Sequence, residues 1–126
     1  MPRLKRNVFR FPRWHDASDE LEASKSTERH TSPPTAFNHE SAHTHVVDGW
    51  AGDTYALPAP INTLDGDSGQ IALRGHATQT VTFGAYNYGA TVPVLPTDPT
   101  KMTIITWKRI NGSFVAVSTG EKDWVY

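Results

Sequence analysis

The chain has 126 residues, no cysteine and a formal net charge of −1. That is one domain's worth of chain, and the missing cysteines exclude a disulfide-stapled secreted scaffold, leaving oligomerisation or a metal as the usual reinforcement of a small core. The charge is uneven, with +5 over residues 1–13, −4 over residues 14–45 and −2 over the rest. A basic tip followed by an acidic stretch suits an arm that meets a negatively charged surface, although a solvated tail has the same pattern.

Residues 1–15 interleave Arg3, Lys5, Arg6, Arg10 and Arg13 with Val8, Phe9, Phe11 and Trp14, while Pro2 and Pro12 disfavour a continuous helix. This reads as an extended peptide whose rings need a host surface. Arg3, Lys5, Arg6, Phe9, Arg10, Phe11, Arg13 and Trp14 are therefore the candidate docking residues. Such a mixture also suits single-stranded nucleic acid, but no basic domain accompanies it, and a nucleic-acid partner is not expected. The segment lacks the apolar run of about 7 to 15 residues of a secretory signal, and no run approaches a membrane span. Synthesis in the cytoplasm and no membrane contact are the expectations.

From Asp16 to Arg29 the composition tolerates a helix, with Ser18 as N-cap and Asp19, Glu20 and Glu22 favourable in its first turn. Only Ala17, Leu21 and Ala23 are apolar, so no more than a short helix formed on docking is expected. Thr31 to Asn38, with Pro33-Pro34, reads as a linker. Residues 1–45 together read as an extended arm and linker with little regular structure.

From Val46 onward Gly, Pro and Asp punctuate short alternating runs, which predicts an all-β unit over residues 46–126, a small antiparallel sandwich or barrel-like module. Strands are expected near 46–50, 54–57, 70–74, 79–84, 102–110 and 113–118. Asn111-Gly112 between apolar runs predicts a type I′ hairpin, because that turn needs positive φ at both central residues. With those two residues in the loop, Ile110 opposes Ser113, Arg109 opposes Phe114, Trp107 opposes Ala116 and Thr106 opposes Val117. One face then carries Ile105, Trp107, Phe114 and Ala116, and the other Ile104, Thr106, Val115 and Val117. Neither is polar enough for water, so the second face is expected to meet another subunit.

Val81-Thr82-Phe83, an aromatic and Gly-rich loop, Pro93 to Pro96, Pro99-Thr100-Lys101, Ile104-Ile105-Thr106-Trp107, Asn111-Gly112, Phe114-Val115-Ala116-Val117 and Lys122-Asp123-Trp124 occur in that order. Over residues 79–126, 48 of 126, the chain resembles the C-terminal β-module of bacteriophage fibre and minor virion proteins. It departs from that pattern at Met102 and Thr103, where an Asp is usual, and in its tighter hairpin. The two apolar faces of the hairpin and the small core lead to the expectation of a homotrimer, with Val81, Phe83, Ile104, Ile105, Trp107, Phe114, Val115, Val117 and Trp124 in its core or interface.

Gly66-Asp67-Ser68-Gly69 copies the surroundings of the nucleophile of trypsin-like serine proteases, and Ser41-Ala42-His43 echoes their histidine motif. That fold needs two full barrels, and only 25 residues separate His43 from Ser68, so a turn is expected instead. Asp65-Gly66-Asp67-Ser68-Gly69 lacks the spacing and final Glu of a calcium loop. Asn111-Gly112-Ser113 is a turn rather than a glycan acceptor. His43 and His45 lie two apart, so in an extended segment both imidazoles face one point; three chains around an axis would offer six nitrogens to a transition metal. A plain surface pair in a linker is the more ordinary reading of the two. Tyr86, Tyr88 and Trp107 would suit a sugar platform, although aromatics in β-rich loops are more often core.

The expectation is a non-enzymatic bacteriophage structural protein, a capsid decoration or short head or tail fibre. It would reside in the virion, dock on a major capsid or tail protein through its arm and trimerise through its β-module. The alternative is a receptor- or glycan-binding module displayed on the same particle, facing a host surface glycan. No catalytic constellation is identified.

Overall fold

A computed structural model describes residues 27–126. The described residues form ten strands and no helix, hence none long and apolar enough to cross a membrane. The strands are β1 (Thr27–His30), β2 (Phe37–Asn38), β3 (Thr44–Val47), β4 (Thr54–Ala56), β5 (Pro60–Ile61), β6 (Ser68–Arg74), β7 (Thr80–Thr82), β8 (Lys101–Ile110), β9 (Ser113–Ser118) and β10 (Lys122–Asp123).

The chain is all-β, and its main sheet is mixed rather than purely antiparallel, in the order β1-β3-β6-β8, with β9 and β10 end to end along the far side of β8. β1 runs parallel to β3 and β3 parallel to β6, whereas β6–β8, β8–β9 and β8–β10 are antiparallel. Two short parallel pairs, β2–β5 and β4–β7, stand outside it, and the described strands close no barrel. Parallel pairing needs a crossover, and among the described residues these crossovers are loops and other strands rather than helices.

The hairpin has the predicted register, with Trp107 opposite Ala116, Thr106 opposite Val117 and Ile110 opposite Ser113. Asn111 and Gly112 have φ of 50° and 80°, as a type I′ turn requires. The preceding Asp-rich loop braces this turn. Asp65 Oδ1 accepts the Gly112 N–H at 2.9 Å, Arg109 N–H donates to Asp67 O at 2.8 Å, and Gly66 N–H donates to Arg109 O. Leu64 N–H is held by Asp67 Oδ2, so the carboxylates of this loop serve the turn and the hairpin.

One face of the sheet carries the main core. Val47, Ile71, Leu73, Ile105, Trp107 and Ala116 point into it, and Phe37, Leu57, Phe83, Tyr86 and Leu95 cover them from the short pairs and the connecting segments. Gly69 lies opposite Trp107, where a Cβ would come within 2.8 Å of the indole and of His43 O; glycine here lets the ring lie against the backbone. Trp107 meets Phe114 and His39 edge to face, with centroids 5.6 Å and 5.1 Å away. The opposite face is thinner: Val46, Ala72 and Met102 are buried there, with Ile104 and Trp124 packed on them.

Residues 27–45 belong to the sheet rather than to a linker. β1 and β3 contribute edge and second strand, and Phe37, inside the stretch read as linker, is fully buried. The unit thus begins before Val46, and the part of the helix-tolerant stretch from Thr27 to Arg29 is strand. The rest of that stretch and the candidate docking residues Arg3, Lys5, Arg6, Phe9, Arg10, Phe11, Arg13 and Trp14 lie outside the described residues.

Candidate functional site

Two features are built by the ends of the sheet. The first lies along β9. Strand alternation that points Phe114 and Ala116 at the main core turns Val115 and Val117 to the other face, where nothing among the described residues fully covers them. Val117 is 65% exposed, and beside it Val92 and Val94 are 57% and 73% exposed. Together with Tyr88 and Pro96 they wall a mostly apolar groove of about 440 Å³, whose lining also includes Thr91, Ser118 and Glu121. The backbone edge of β9 is partly occupied: Asn87 N–H donates to Phe114 O at 2.7 Å, and Ala116 N–H to Asn87 O at 2.9 Å. Apolar side chains, rather than an unpaired strand, are what this side offers.

The second feature lies at the opposite edge. Parallel register sets Glu28 beside His45, and alternation puts His30 on the same side of β1 as Glu28. His30 Nε2 lies 2.9 Å from His45 Nδ1, and Glu28 Oε1 lies 3.9 Å from the same nitrogen. His45 Nε2 is 3.1 Å from Asn38 O, and Ser41 Oγ donates to Glu28 Oε1 at 2.8 Å. Phe37 closes one side, its ring edge-on to both imidazoles. Burial holds His45 below the ordinary imidazole range, against the opposing pull of the Asn38 carbonyl.

Between these ends, Asp48 ties strands together. Its Oδ1 accepts Arg74 Nη1 at 2.7 Å and its Oδ2 accepts Arg29 Nη1, while Arg29 also donates to the Tyr126 carbonyl. The Arg74 guanidinium sits 5.0 Å from the Trp124 ring centroid, fastening the C-terminal segment to the thin side of the core.

Of the residues assigned to core or interface, Phe83, Ile105 and Trp107 are buried, Val81 and Phe114 pack at the margin of the main core, Ile104 and Trp124 pack on the thin side, and Val115 and Val117 are exposed. The two apolar faces of the hairpin are therefore distinct: among the described residues one is covered by the main core, and the other is covered at Ile104 but exposed at Val115 and Val117. His43 and His45 do not face one point. β3 begins at Thr44, so the strand alternation that would align them does not reach His43, which is exposed near His39 while His45 is buried against His30.

Nor do Tyr86, Tyr88 and Trp107 make a sugar platform. Tyr86 and Trp107 are core, and the Tyr86 hydroxyl donates to Pro58 O at 2.7 Å. Burial pushes its pKa up, and that of Tyr55, which donates to Pro34 O, up to about 12. Glu28 and His30 were missed as site residues because the pairing that brings them to His45 joins strands with no apolar alternation to announce it. Val92 and Val94 carried a weak signal, an apolar pair around Pro93 in a loop.

Comparison with protein families, characterised proteins and solved structures finds no match.

Proposed function

We propose that this protein is a structural component of a bacteriophage particle, a decoration or short fibre, whose β-module self-associates through the open face of β9 and whose basic, aromatic N-terminal segment docks on a capsid or tail protein. The observation that carries the reading is the sidedness of the hairpin. Among the described residues the main core covers the Phe114 and Ala116 face, whereas the other face is covered at Ile104 but left exposed at Val115 and Val117, with Val117 sharing a groove with Val92 and Val94. A second copy is the favoured occupant, because a core built by about 100 residues is marginal alone and gains stability by burying such a face. The resemblance to phage fibre modules, which trimerise, gives the number of copies.

Light scattering on the full chain tests the association. A trimer is expected at micromolar concentration, and Val117→Asp with Val94→Asp should yield a folded monomer, since two carboxylates cannot be buried unpaired in an apolar contact. A wild-type monomer, or a trimer indifferent to both substitutions, would sink this reading of the face. Detection of the chain in purified particles tests the location.

A further inference from the structure

The cluster at the β1 edge has more order than a chance meeting of polar side chains. Glu28 Oε1, His30 Nε2 and His45 Nδ1 all lie within 4.8 Å of one another. A carbonyl oxygen can only accept, so the 3.1 Å contact with Asn38 O places the proton of His45 on Nε2 and leaves the Nδ1 lone pair turned toward His30 and Glu28. Ser41 Oγ fixes the carboxylate in turn. These are the outer contacts that orient metal ligands: a backbone carbonyl choosing the tautomer of a histidine, and a hydroxyl holding a carboxylate.

The distances also favour a small cation. Without metal, His30 Nε2 must carry the proton shared across 2.9 Å with His45 Nδ1. A tetrahedral ion with bonds of about 2.0 to 2.1 Å sets its ligand atoms about 3.3 Å apart, so the two nitrogens need to part by about 0.4 Å and Glu28 Oε1 to close by about 0.6 Å from its 3.9 Å. The rings lie within 17° of coplanar, centroids 5.2 Å apart, and one must tilt to converge on an ion. Among the described residues β1 is an edge strand paired with β3 alone, and the Glu28 side chain is 43% exposed, so His30 and Glu28 can adjust while buried His45 stays fixed.

We propose that Glu28, His30 and His45 of a single chain bind a divalent first-row transition metal, zinc by the character of the donor set, and that the ion fastens β1 to β3. Two imidazole nitrogens and one carboxylate oxygen suit zinc or cobalt better than magnesium or calcium, which demand oxygen ligands. Water supplies the fourth ligand. Because β1 is the strand into which residues 1–26 lead, the ion would hold the root of the N-terminal segment to the sheet.

Zinc chloride titrated calorimetrically into the metal-free full chain tests this, with cobalt(II) as a spectroscopic probe. One ion per chain is expected, with the visible absorption of tetrahedral cobalt and a rise in melting temperature with zinc, since a ligand that binds only the folded chain stabilises it. His30→Gln should weaken zinc binding at least tenfold, and His43→Gln, which alters the neighbouring histidine pair, should leave it unchanged. If His30→Gln fails to fold by near-ultraviolet circular dichroism, Glu28→Gln on the part-exposed carboxylate carries the same test, with the same tenfold loss expected. Absence of zinc binding, binding that survives the folded variant, or binding abolished by His43→Gln would each overturn the assignment. None of these outcomes depends on whether the chain is trimeric or resides in a particle.

Discussion

Trp107 and Val117 stand on opposite faces of one hairpin, and a single substitution in each separates core from surface. Trp107 is 3% exposed, with Gly69 beneath it and Phe114 and His39 against its edges. Trp107→Ala is expected to cost about 3 to 5 kcal/mol in urea unfolding, because the sheet cannot collapse over the space the ring leaves. Val117→Ala, measured in dilute conditions where the chain is monomeric, should shift stability by no more than about 0.5 kcal/mol. Asp48 offers a test by pH. The hydrogen bond from Arg74, reinforced by Arg29, holds its carboxyl below the usual carboxylate range. The unfolded chain therefore takes up the proton first as pH falls. The stabilisation is complete above the unfolded value of about 3.9 and is lost as pH drops through the lower folded value. Asp48→Asn should destabilise by about 1 kcal/mol at neutral pH, discounted for partial exposure, and the difference from wild type should shrink toward zero in acid. A difference that persists undiminished below the folded value would show that packing, not charge, accounts for it.

At the scale of elements, legibility follows sequence distance. β8 and β9 are adjacent in sequence, strongly β-branched and joined by a two-residue turn, so type, register and facing could all be read from local chemistry. β6, β7 and β4 lie within a few residues of the expected strands because turn residues bound their short runs. β1 was not, because Thr27-Glu28-Arg29-His30 holds no apolar residue and becomes a strand only by pairing with β3 across an irregular crossover. Phe37 was hidden by its company: one aromatic in a Pro-rich stretch looks like a linker until the two-stranded pair with β5 lays it on the core. Pairing residue 28 with residue 45 is what assembles Glu28, His30 and His45, and such non-local parallel contacts leave no periodic trace in a single sequence. Gly69 shows a related blindness. It was legible as part of a turn, but it lies inside β6, where the need is space for an indole rather than freedom of φ.

The whole molecule has a polarity from edge to edge: residues 1–26 join the sheet at β1, and the open apolar face lies across it at β9. Residues 1–15 hold five basic groups with Phe9, Phe11 and Trp14, and a peptide of that composition gains little by folding on itself. Buried in a groove of a capsid or tail protein, each ring would remove roughly 150 to 250 Å² from water, so the rings rather than the charges should dominate affinity. Arginines at an exposed rim would chiefly steer encounter and add little to the bound state at physiological salt. Deletion of residues 1–15 spares β1 and every ligand of the proposed metal site, and is expected to leave the sheet folded and self-associated while abolishing incorporation into particles. Phe11→Ala with Trp14→Ala should approach that loss. Neutralising two of the arginines should weaken attachment only modestly, more at low salt than at high. Copy number in purified particles measures each case, and a truncated chain that still incorporates at the normal level would transfer the docking role to the β-module itself.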